Sequence, residues 1–251
     1  METIHVDFDE STAVVMLNRG VTNALSPRLL SELREVLRSI HDHSNVHAVV
    51  LTSTNEKFFS IGFDIPSLLQ LPREELEDFY KSFNQVCLRL YELPKPTVAA
   101  IPGHAIAGGC ILALCCDWRL ISEGRNLMGL NEVKLGVPVP YPATCILENL
   151  AGARYAREIM ETGELFGPEK LKEMGVVDRV MPLEEVLPEA MKMAETQGAH
   201  PADAFAMIKG NRTTPVIEKV LPRLAEKQQL FIEHWYSDEA RLLLKEAAKK
   251  F

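Results

Sequence analysis

The segment Pro102-Gly103-His104-Ala105-Ile106-Ala107-Gly108-Gly109-Cys110 decides the fold. It follows the apolar, β-branched run Thr97–Ile101, which predicts a buried strand, and it leads into an apolar helix over 110–116. A glycine-rich turn from strand to helix leaves backbone N–H groups free, and these attract an oxygen that develops negative charge. Alternatively, the glycines only let the strand and the helix pack closely. Their spacing differs from both the dinucleotide-binding and the P-loop motifs, so no nucleotide-phosphate loop is expected.

Strands and helices alternate on both sides of this segment. An opening hairpin is predicted over 3–8 and 12–17, and further strands over 46–52, 118–122 and 176–181. Helices are predicted over 26–41 and 74–93, and beyond Pro142 over 143–150, 153–162, 168–174, 183–196, 201–210 and from 215 to the end. Ser26 is the expected N-cap of the first helix, with Pro27 at its first position. The pattern predicts an α/β fold with a helical C-terminal part.

The composition of the chain excludes or disfavours several classes of protein function. The chain has 251 residues, of which 47% are hydrophobic and 25% are charged, values typical of a globular protein of one large domain or one domain plus a small appendage. Its net charge of −8 disfavours binding to nucleic acid or to an anionic membrane surface. The apolar stretch 105–116 is shorter than the roughly 20 residues that cross a bilayer.

The cysteines and the N-terminal sequence suggest a compartment. The chain has five cysteines, an odd number without a CxxC pair, and reduced core thiols are the expected state. The acidic start of the sequence lacks a signal-peptide pattern, so we expect a cytoplasmic protein. A metal site is not expected, because His41, Asp42, His43 and His47 straddle a helix end and a strand start, where their side chains diverge.

Two further segments contain residues suited to chemistry. The segment Phe58-Phe59-Ser60-Ile61-Gly62-Phe63-Asp64-Ile65 is a second glycine turn after a strand, and Gly129-Leu130-Asn131-Glu132-Val133-Lys134-Leu135-Gly136 is mostly apolar around one glutamate. Partial burial would raise the pKa of Glu132 towards that of a general base. The alternative is a surface glutamate paired with Lys134, and composition alone favours that alternative.

Taken together, the sequence resembles the crotonase (enoyl-CoA hydratase/isomerase) superfamily over about residues 14–180. Five segments resemble the family in its order: Asn23-Ala24-Leu25-Ser26, residues 59–65, residues 102–110, Cys116-Asp117-Trp118-Arg119 and residues 129–136. The resemblance implies a spiral of ββα units with its active site in residues 1–195. It also implies a C-terminal helical region, 196–251, that forms homotrimers, often paired into hexamers.

The resemblance also implies the ligand and the site. Family members bind acyl-CoA thioesters, so coenzyme A is part of the substrate and no separate cofactor is expected. The backbone N–H groups of Phe63 and Gly108 would hold the enolate oxygen, and Glu132 would move the proton. Expected substrate contacts are Ala24, Ile61, Gly62, Asp64, Ile65, Ile111, Asn131 and Tyr141. Asp64 is expected to be a cap residue and not an acid.

Two positions bear on which reaction is catalysed. Family hydratases carry a second glutamate where this chain has Ile111, and dienoyl-CoA isomerases carry an aspartate where it has Pro140. The pattern most resembles the Δ3,Δ2-enoyl-CoA isomerases, in which one glutamate moves a proton between C2 and C4 in fatty acid metabolism. The alternatives are a hydratase or another acyl-CoA lyase or hydrolase, and a silent acyl-CoA-binding homologue.

Overall fold

The computed structural model describes residues 1–249; residues 250 and 251, the end of the predicted helical region, lie outside the described part. The strands are β1 (Ile4–Asp9), β2 (Thr12–Leu17), β3 (Ala48–Ser53), β4 (Phe58–Ser60), β5 (Thr97–Ile101), β6 (His104–Ile106), β7 (Trp118–Ser122), β8 (Met128–Gly129) and β9 (Arg179–Met181). The helices are α1 (Pro27–Asp42), α2 (Ile65–Leu68), α3 (Arg73–Glu92), α4 (Gly108–Leu114), α5 (Tyr141–Thr162), α6 (Pro168–Glu173), α7 (Leu183–Gly198), α8 (Ala202–Trp235) and α9 (Asp238–Ala248), with a 3-10 helix over Glu132–Leu135.

The large sheet has the strand order β1-β2-β3-β5-β7-β9. The hairpin β1–β2 is antiparallel, and every later pair is parallel. Alternate residues of β3 face opposite sides: Val49 and Leu51 join the main core, whereas Ala48 and Val50 pack against α7. Helices therefore cover both faces of this sheet, which explains why its central strands are continuously apolar.

A second, small sheet has the order β4-β6-β8, and both of its strand pairs are parallel. Its strands are two or three residues long; β4 and β6 lie inside the two segments predicted as glycine turns, and β8 was not predicted. The carboxyl ends of its three strands meet at one edge because the strands are parallel. That edge is where the three candidate segments leave the sheet.

Most predicted elements are confirmed. The strands Thr97–Ile101 and Trp118–Ser122 have the predicted bounds, and Ser26 caps α1 by accepting a hydrogen bond from the Leu29 N–H at 3.3 Å. All five cysteines are free and buried. Within residues 1–249, no helix is both long enough and apolar enough to cross a membrane.

Three predictions about the C-terminal half are wrong. The predicted break between residues 210 and 215 is absent: α8 continues through Pro215 and Pro222, because the buried side chains of Val216 and Val220 pack this part of the helix against the core. The helices predicted at 143–150 and 153–162 form one element, α5, with a kink at Gly152. The strand predicted over 176–181 begins only at Arg179.

The expected boundary between residues 195 and 196 falls inside α7. The inner face of this helix packs against the large sheet through Val186, Ala190 and Ala194. The helical region beyond it, α8 and α9, packs against both α3 and α5 and the 3-10 helix. The C-terminal helices are therefore part of the same core as the strands.

A buried ion pair joins α8 to the large sheet. Lys209 Nζ lies 2.7 Å from Asp117 Oδ2, with side-chain exposures of 2% and 5%. The same carboxylate oxygen accepts hydrogen bonds from the Thr97 N–H and hydroxyl, both at 2.9 Å, and Arg212 contacts the other oxygen. Burial lowers the pKa of Lys209, and Asp117 opposes that shift. Asp117 is the acidic partner of Lys209 in the described residues, so the buried lysine charge is compensated only while Asp117 is present.

We expect Asp117→Ala to lower the free energy of unfolding by about 3–5 kcal/mol, because Lys209 would remain buried without its partner. The matched control is Lys219→Ala on the same helix, which breaks the exposed pair between Lys219 and Glu148. That variant should lose less than about 1 kcal/mol. Urea unfolding measures both, and equal losses would contradict the role given to the buried pair.

Candidate functional site

The three candidate segments meet at one edge of the small sheet. Residues 61–65 leave the end of β4, residues 107–108 leave the end of β6, and residues 130–132 leave the end of β8. The register pairs Ser60 with Ala105 and Ile106 with Gly129. Three stretches that are distant in the sequence are thereby brought together by backbone pairing alone.

Close backbone contact between the two glycine turns requires glycine at position 62. A Cβ atom placed on Gly62 would lie 2.9 Å from both Gly108 N and Ile106 O, and Gly62 has a φ of +93°. Gly109 lies even closer to β4, because a Cβ there would be 2.3 Å from Ser60 O. The glycines thus serve close packing, and this packing also places the Phe63 and Gly108 backbones side by side.

Two backbone N–H groups at this contact have no acceptor within residues 1–249. The neighbours of Phe63 are paired: Leu25 N–H donates to Gly62 O at 2.7 Å, and Asp64 N–H donates to Leu25 O at 3.0 Å. Among the hydrogen bonds of the described chain, none uses the N–H of Phe63 or that of Gly108, the first residue of α4. Free N–H groups held by fixed backbone can stabilise an oxyanion without reorganising.

An ion pair anchors the loop that contains Phe63. Arg19 Nη2 lies 2.5 Å from Asp64 Oδ2, and Arg19 Nη1 donates to Ala24 O at 2.8 Å. Asp64 also caps α2, since its carboxylate accepts hydrogen bonds from the Ser67 N–H at 3.3 Å and hydroxyl at 2.7 Å. Asp64 is therefore a cap residue, as the sequence predicted, and its charge is already paired.

Glu132 is the first residue of the 3-10 helix that follows β8, and it is 6% exposed. Its Oε2 atom is buried and has no hydrogen-bond partner within residues 1–249. Burial raises the pKa of Glu132 from its ordinary value to about 7. The alternative that Glu132 is a surface residue paired with Lys134 is wrong, because Lys134 Nζ instead lies 2.6 Å from Glu164.

Glu132 faces a cavity of about 410 Å³. The lining is mostly apolar and consists of Ile61, Phe63, Ile65, Ile106, Ala107, Gly108, Asn131, Glu132, Lys134, Leu135, Val137, Pro140, Leu165, Phe231, Trp235, Leu243, Leu244, Glu246 and Ala247. Two other lining residues are charged, but Lys134 pairs with Glu164 and Glu246 pairs with Lys249 at 2.6 Å. Among the charged residues that line the cavity, Glu132 is thus the one without an ionic partner in the described part of the chain.

The structure brings six of the predicted site residues to this cavity and leaves five outside its lining. The six are Glu132, Phe63, Gly108, Ile61, Ile65 and Asn131, and the five are Ala24, Gly62, Asp64, Ile111 and Tyr141. Ile111 is 1% exposed and belongs to the hydrophobic core. Tyr141 begins α5, one residue after Pro140, which does line the cavity.

The C-terminal helices contribute residues to the cavity that were not predicted from the sequence. Phe231 and Trp235 of α8, and Leu243, Leu244 and Ala247 of α9, also line the cavity. Their spacing of three or four residues predicts only an apolar helix face, which is equally typical of a core helix. These residues lie far along the chain from the glycine turns. No sequence pattern therefore indicated that they belong to the site.

Comparison with known proteins identifies the family. A sequence profile of enoyl-CoA hydratase/isomerase matches residues 7–250. The chain belongs to this family. It is 32% identical to human enoyl-CoA delta isomerase 1, a mitochondrial protein, over 207 residues, covering 82% of this chain and 68% of that protein. It is also 32% identical to crotonyl-CoA hydratase of Syntrophomonas wolfei over 195 residues, covering 77% and 74%.

Solved structures of family members share the fold. The human mitochondrial delta3-delta2-enoyl-CoA isomerase has a TM-score of 0.95 at 28% identity, with 99% of this chain and 97% of that chain covered. Enoyl-CoA hydratase of Bacillus anthracis has a TM-score of 0.81 at 28% identity, with 99% and 96% covered. The predicted α/β crotonase-like fold is confirmed. The family acts on enoyl-CoA thioesters, and its isomerases and hydratases resemble this chain about equally in sequence.

The contact between the glycine turns can be tested with a matched pair of glycines. Gly62 and Gly124 have nearly the same φ, +93° and +98°, but a Cβ on Gly124 would meet nothing within 4 Å. Alanine at either position costs about 1–3 kcal/mol of backbone strain, because both glycines have positive φ. Gly62→Ala should lose a further ~1–3 kcal/mol from the collision with Gly108. Chemical denaturation compares the two variants, and equal losses would show that the close contact is unimportant.

Proposed function

We propose that this enzyme is an enoyl-CoA isomerase that moves a double bond from the 3-position to the 2-position. The observation that carries the proposal is the Glu132 carboxyl group, buried on an apolar cavity wall without an ionic partner in residues 1–249. The same cavity is lined by Phe63 and Gly108, whose backbone N–H groups have no acceptor in that part of the chain. Such an arrangement can move one proton between two carbons of one substrate. It suits acyl-CoA thioesters of the kind processed in fatty acid metabolism.

The proposed reaction has two proton transfers. The Glu132 carboxylate takes a proton from C2, and the electron pair of that C–H bond moves to the thioester oxygen, which becomes an enolate. The N–H groups of Phe63 and Gly108 donate hydrogen bonds to this oxygen, a contribution worth several kcal/mol in related oxyanion sites. Protonated Glu132 then delivers the proton to C4, and the double bond forms between C2 and C3. No atom is gained or lost.

The burial of Glu132 suits both steps. Desolvation holds its pKa at about 7, so the carboxylate and the carboxylic acid are both well populated at neutral pH. A base must accept the proton from C2, and the acid that results must return it to C4. Asn131, whose Oδ1 atom is buried and unpartnered, lies beside Glu132 on the wall and would contact the substrate.

The hydratase alternative requires a second group to hold and activate water. Position 111 supplies isoleucine, which is buried in the core, and Pro140 on the cavity wall supplies no acid. The other charged lining residues are Lys134 and Glu246. Each forms an ion pair with a residue other than Glu132, namely Glu164 and Lys249. These features favour proton transfer over water addition.

The deciding experiment offers 3-hexenoyl-CoA and 2-hexenoyl-CoA separately, separates substrate from product by liquid chromatography against standards of both isomers, and measures the mass of each product. The isomerase proposal predicts that the 3-enoyl substrate is converted to a product of unchanged mass. Hydration would add one water to the 2-enoyl substrate. A faster gain of water than isomerisation would replace the proposal with the hydratase, and no conversion of either substrate would favour the silent homologue.

Glu132→Gln keeps the size of the side chain and removes the base. We expect kcat for isomerisation to fall by about 10³ or more while substrate binding persists. Glu164→Gln is the matched control, because Glu164 is an exposed glutamate paired with Lys134 outside the cavity lining. It should retain near-normal turnover. A Glu132→Gln variant that keeps a tenth of the wild-type rate would contradict the assignment.

Glu132 also predicts how stability depends on pH. Its pKa of about 7 in the folded protein lies above its ordinary value of 4.5, so between these values the folded chain keeps a proton that the unfolded chain has lost. The free energy of unfolding therefore falls as pH rises through this range. At pH 8, Glu132→Gln should be more stable than wild type by on the order of 3 kcal/mol. At pH 4 that difference should vanish in denaturant titrations, and a pH-independent difference would contradict the raised pKa.

Several expectations stay predictions. They are the homotrimer or hexamer, the cytoplasmic location, the absence of a separate cofactor and the substrate contacts of Ala24, Gly62, Asp64, Ile111 and Tyr141.

A further inference from the structure

Six aromatic side chains form a contiguous group beside the active-site cavity. This aromatic cluster consists of Phe63, Phe79, Tyr80, Phe83, Phe231 and Trp235. Phe63 meets Phe83 and Phe79 edge-on, with ring centroids 4.8 and 4.9 Å apart. Phe231 stacks on Tyr80 with centroids 3.8 Å apart, and Trp235 follows at 6.1 Å from Phe231. The cluster joins α3 and α8 to the loop that follows β4.

The cluster divides into a lining half and a supporting half. Phe63, Phe231 and Trp235 line the cavity, whereas Phe79, Tyr80 and Phe83 of α3 lie behind them. Phe231 and Trp235 are 2% and 1% exposed, so each has packed neighbours on the sides away from the cavity. Rings held in this way cannot move aside without disturbing a close-packed core.

Phe63 connects the aromatic cluster to the proposed oxyanion site. Its backbone N–H is a proposed donor to the thioester oxygen, and its ring centroid lies 6.5 Å from that of Phe231. Phe231 and Trp235 line the same cavity as Phe63, Gly108 and Glu132, so an acyl chain that extends from the reacting carbons along the Phe63 side of the cavity meets these two rings. The cavity of about 410 Å³ is also near the lower end of the range for small-molecule pockets, roughly 300–1,000 Å³.

We propose that Phe231 and Trp235 are specificity residues that limit the acyl chain to short lengths. The inference rests on the proposed isomerase function for the reaction but concerns binding of the acyl tail. Short chains such as hexenoyl end before the two rings, whereas a dodecenoyl chain must displace them. Each methylene that a pocket cannot accept lowers kcat/KM by about 10-fold or more.

The test compares kcat/KM for 3-hexenoyl-CoA and 3-dodecenoyl-CoA. Wild type should prefer the hexenoyl substrate by at least about 10-fold. Phe231→Ala and Trp235→Ala should each shift this ratio towards the longer substrate by about 10-fold, mainly through a lower KM for dodecenoyl-CoA. If the alanine variants do not fold, Phe231→Leu and Trp235→Phe should shift the ratio in the same direction by smaller factors.

Phe79→Ala is the matched control. Phe79 belongs to the same cluster, is 3% exposed and contacts Phe63, but it does not line the cavity. Its substitution should destabilise the fold and leave the ratio of the two substrates unchanged. A wild-type enzyme that prefers dodecenoyl-CoA, or equal shifts in Phe79→Ala and Phe231→Ala, would overturn the proposal.

Binding of unreactive substrates separates this proposal from the isomerase function. Calorimetric titration with the saturated esters hexanoyl-CoA and dodecanoyl-CoA measures how acyl chain length affects the Kd when no reaction takes place. If neither enoyl substrate is isomerised but hexanoyl-CoA still binds more tightly, and Phe231→Ala reverses that order, the length limit stands and the reaction assignment fails. Tighter binding of dodecanoyl-CoA to the wild type would overturn the length limit whatever the reaction is.

Discussion

The contact between the backbones at Gly62 and Gly108 is the constraint on which the rest of the site depends. It exists because three short parallel strands end at one edge, and because glycine leaves room where any Cβ would collide with Gly108 N at 2.9 Å. The contact places together two N–H groups that have no acceptor within residues 1–249, and the pairing of β8 with β6 brings Glu132 to the same cavity. Backbone geometry, more than side-chain chemistry, therefore builds the oxygen-binding half of the site.

At Glu132, by contrast, the important feature is a side chain that is buried without an ionic partner in residues 1–249. Its carboxyl group has an unpartnered oxygen and a pKa raised to about 7 by desolvation, so its ionised form destabilises the fold. Asp117 and Lys209, buried to a similar degree, satisfy each other and fasten α8 to the sheet. A buried charge with a partner serves structure, whereas a buried charge without one, on a cavity wall, is poised to exchange a proton.

The sequence predicted the parts of the fold that local pattern controls. The runs Thr97–Ile101 and Trp118–Ser122 are strongly β-branched or apolar, and the glycine turns carry the family resemblance. It could not predict β4, β6 and β8, because strands of two or three residues have no period and are stabilised by their neighbours in the sheet. Nor could it assign Phe231 and Trp235 to the cavity, since helical spacing shows that a face is buried but not what lies against it. The continuation of α8 through Pro215 likewise depends on tertiary packing, which outweighs local propensity.

The central claim is that one buried carboxyl group carries the same proton from C2 to C4. A single-turnover reaction with 3-hexenoyl-CoA deuterated at C2, run in ordinary water, tests this directly by following the label with mass spectrometry and NMR. We predict that a measurable share of the deuterium appears at C4 of the product, because Glu132 lies on an apolar wall with little access to water. Complete loss of the label to solvent, with no deuterium at C4, would contradict a single-glutamate shuttle.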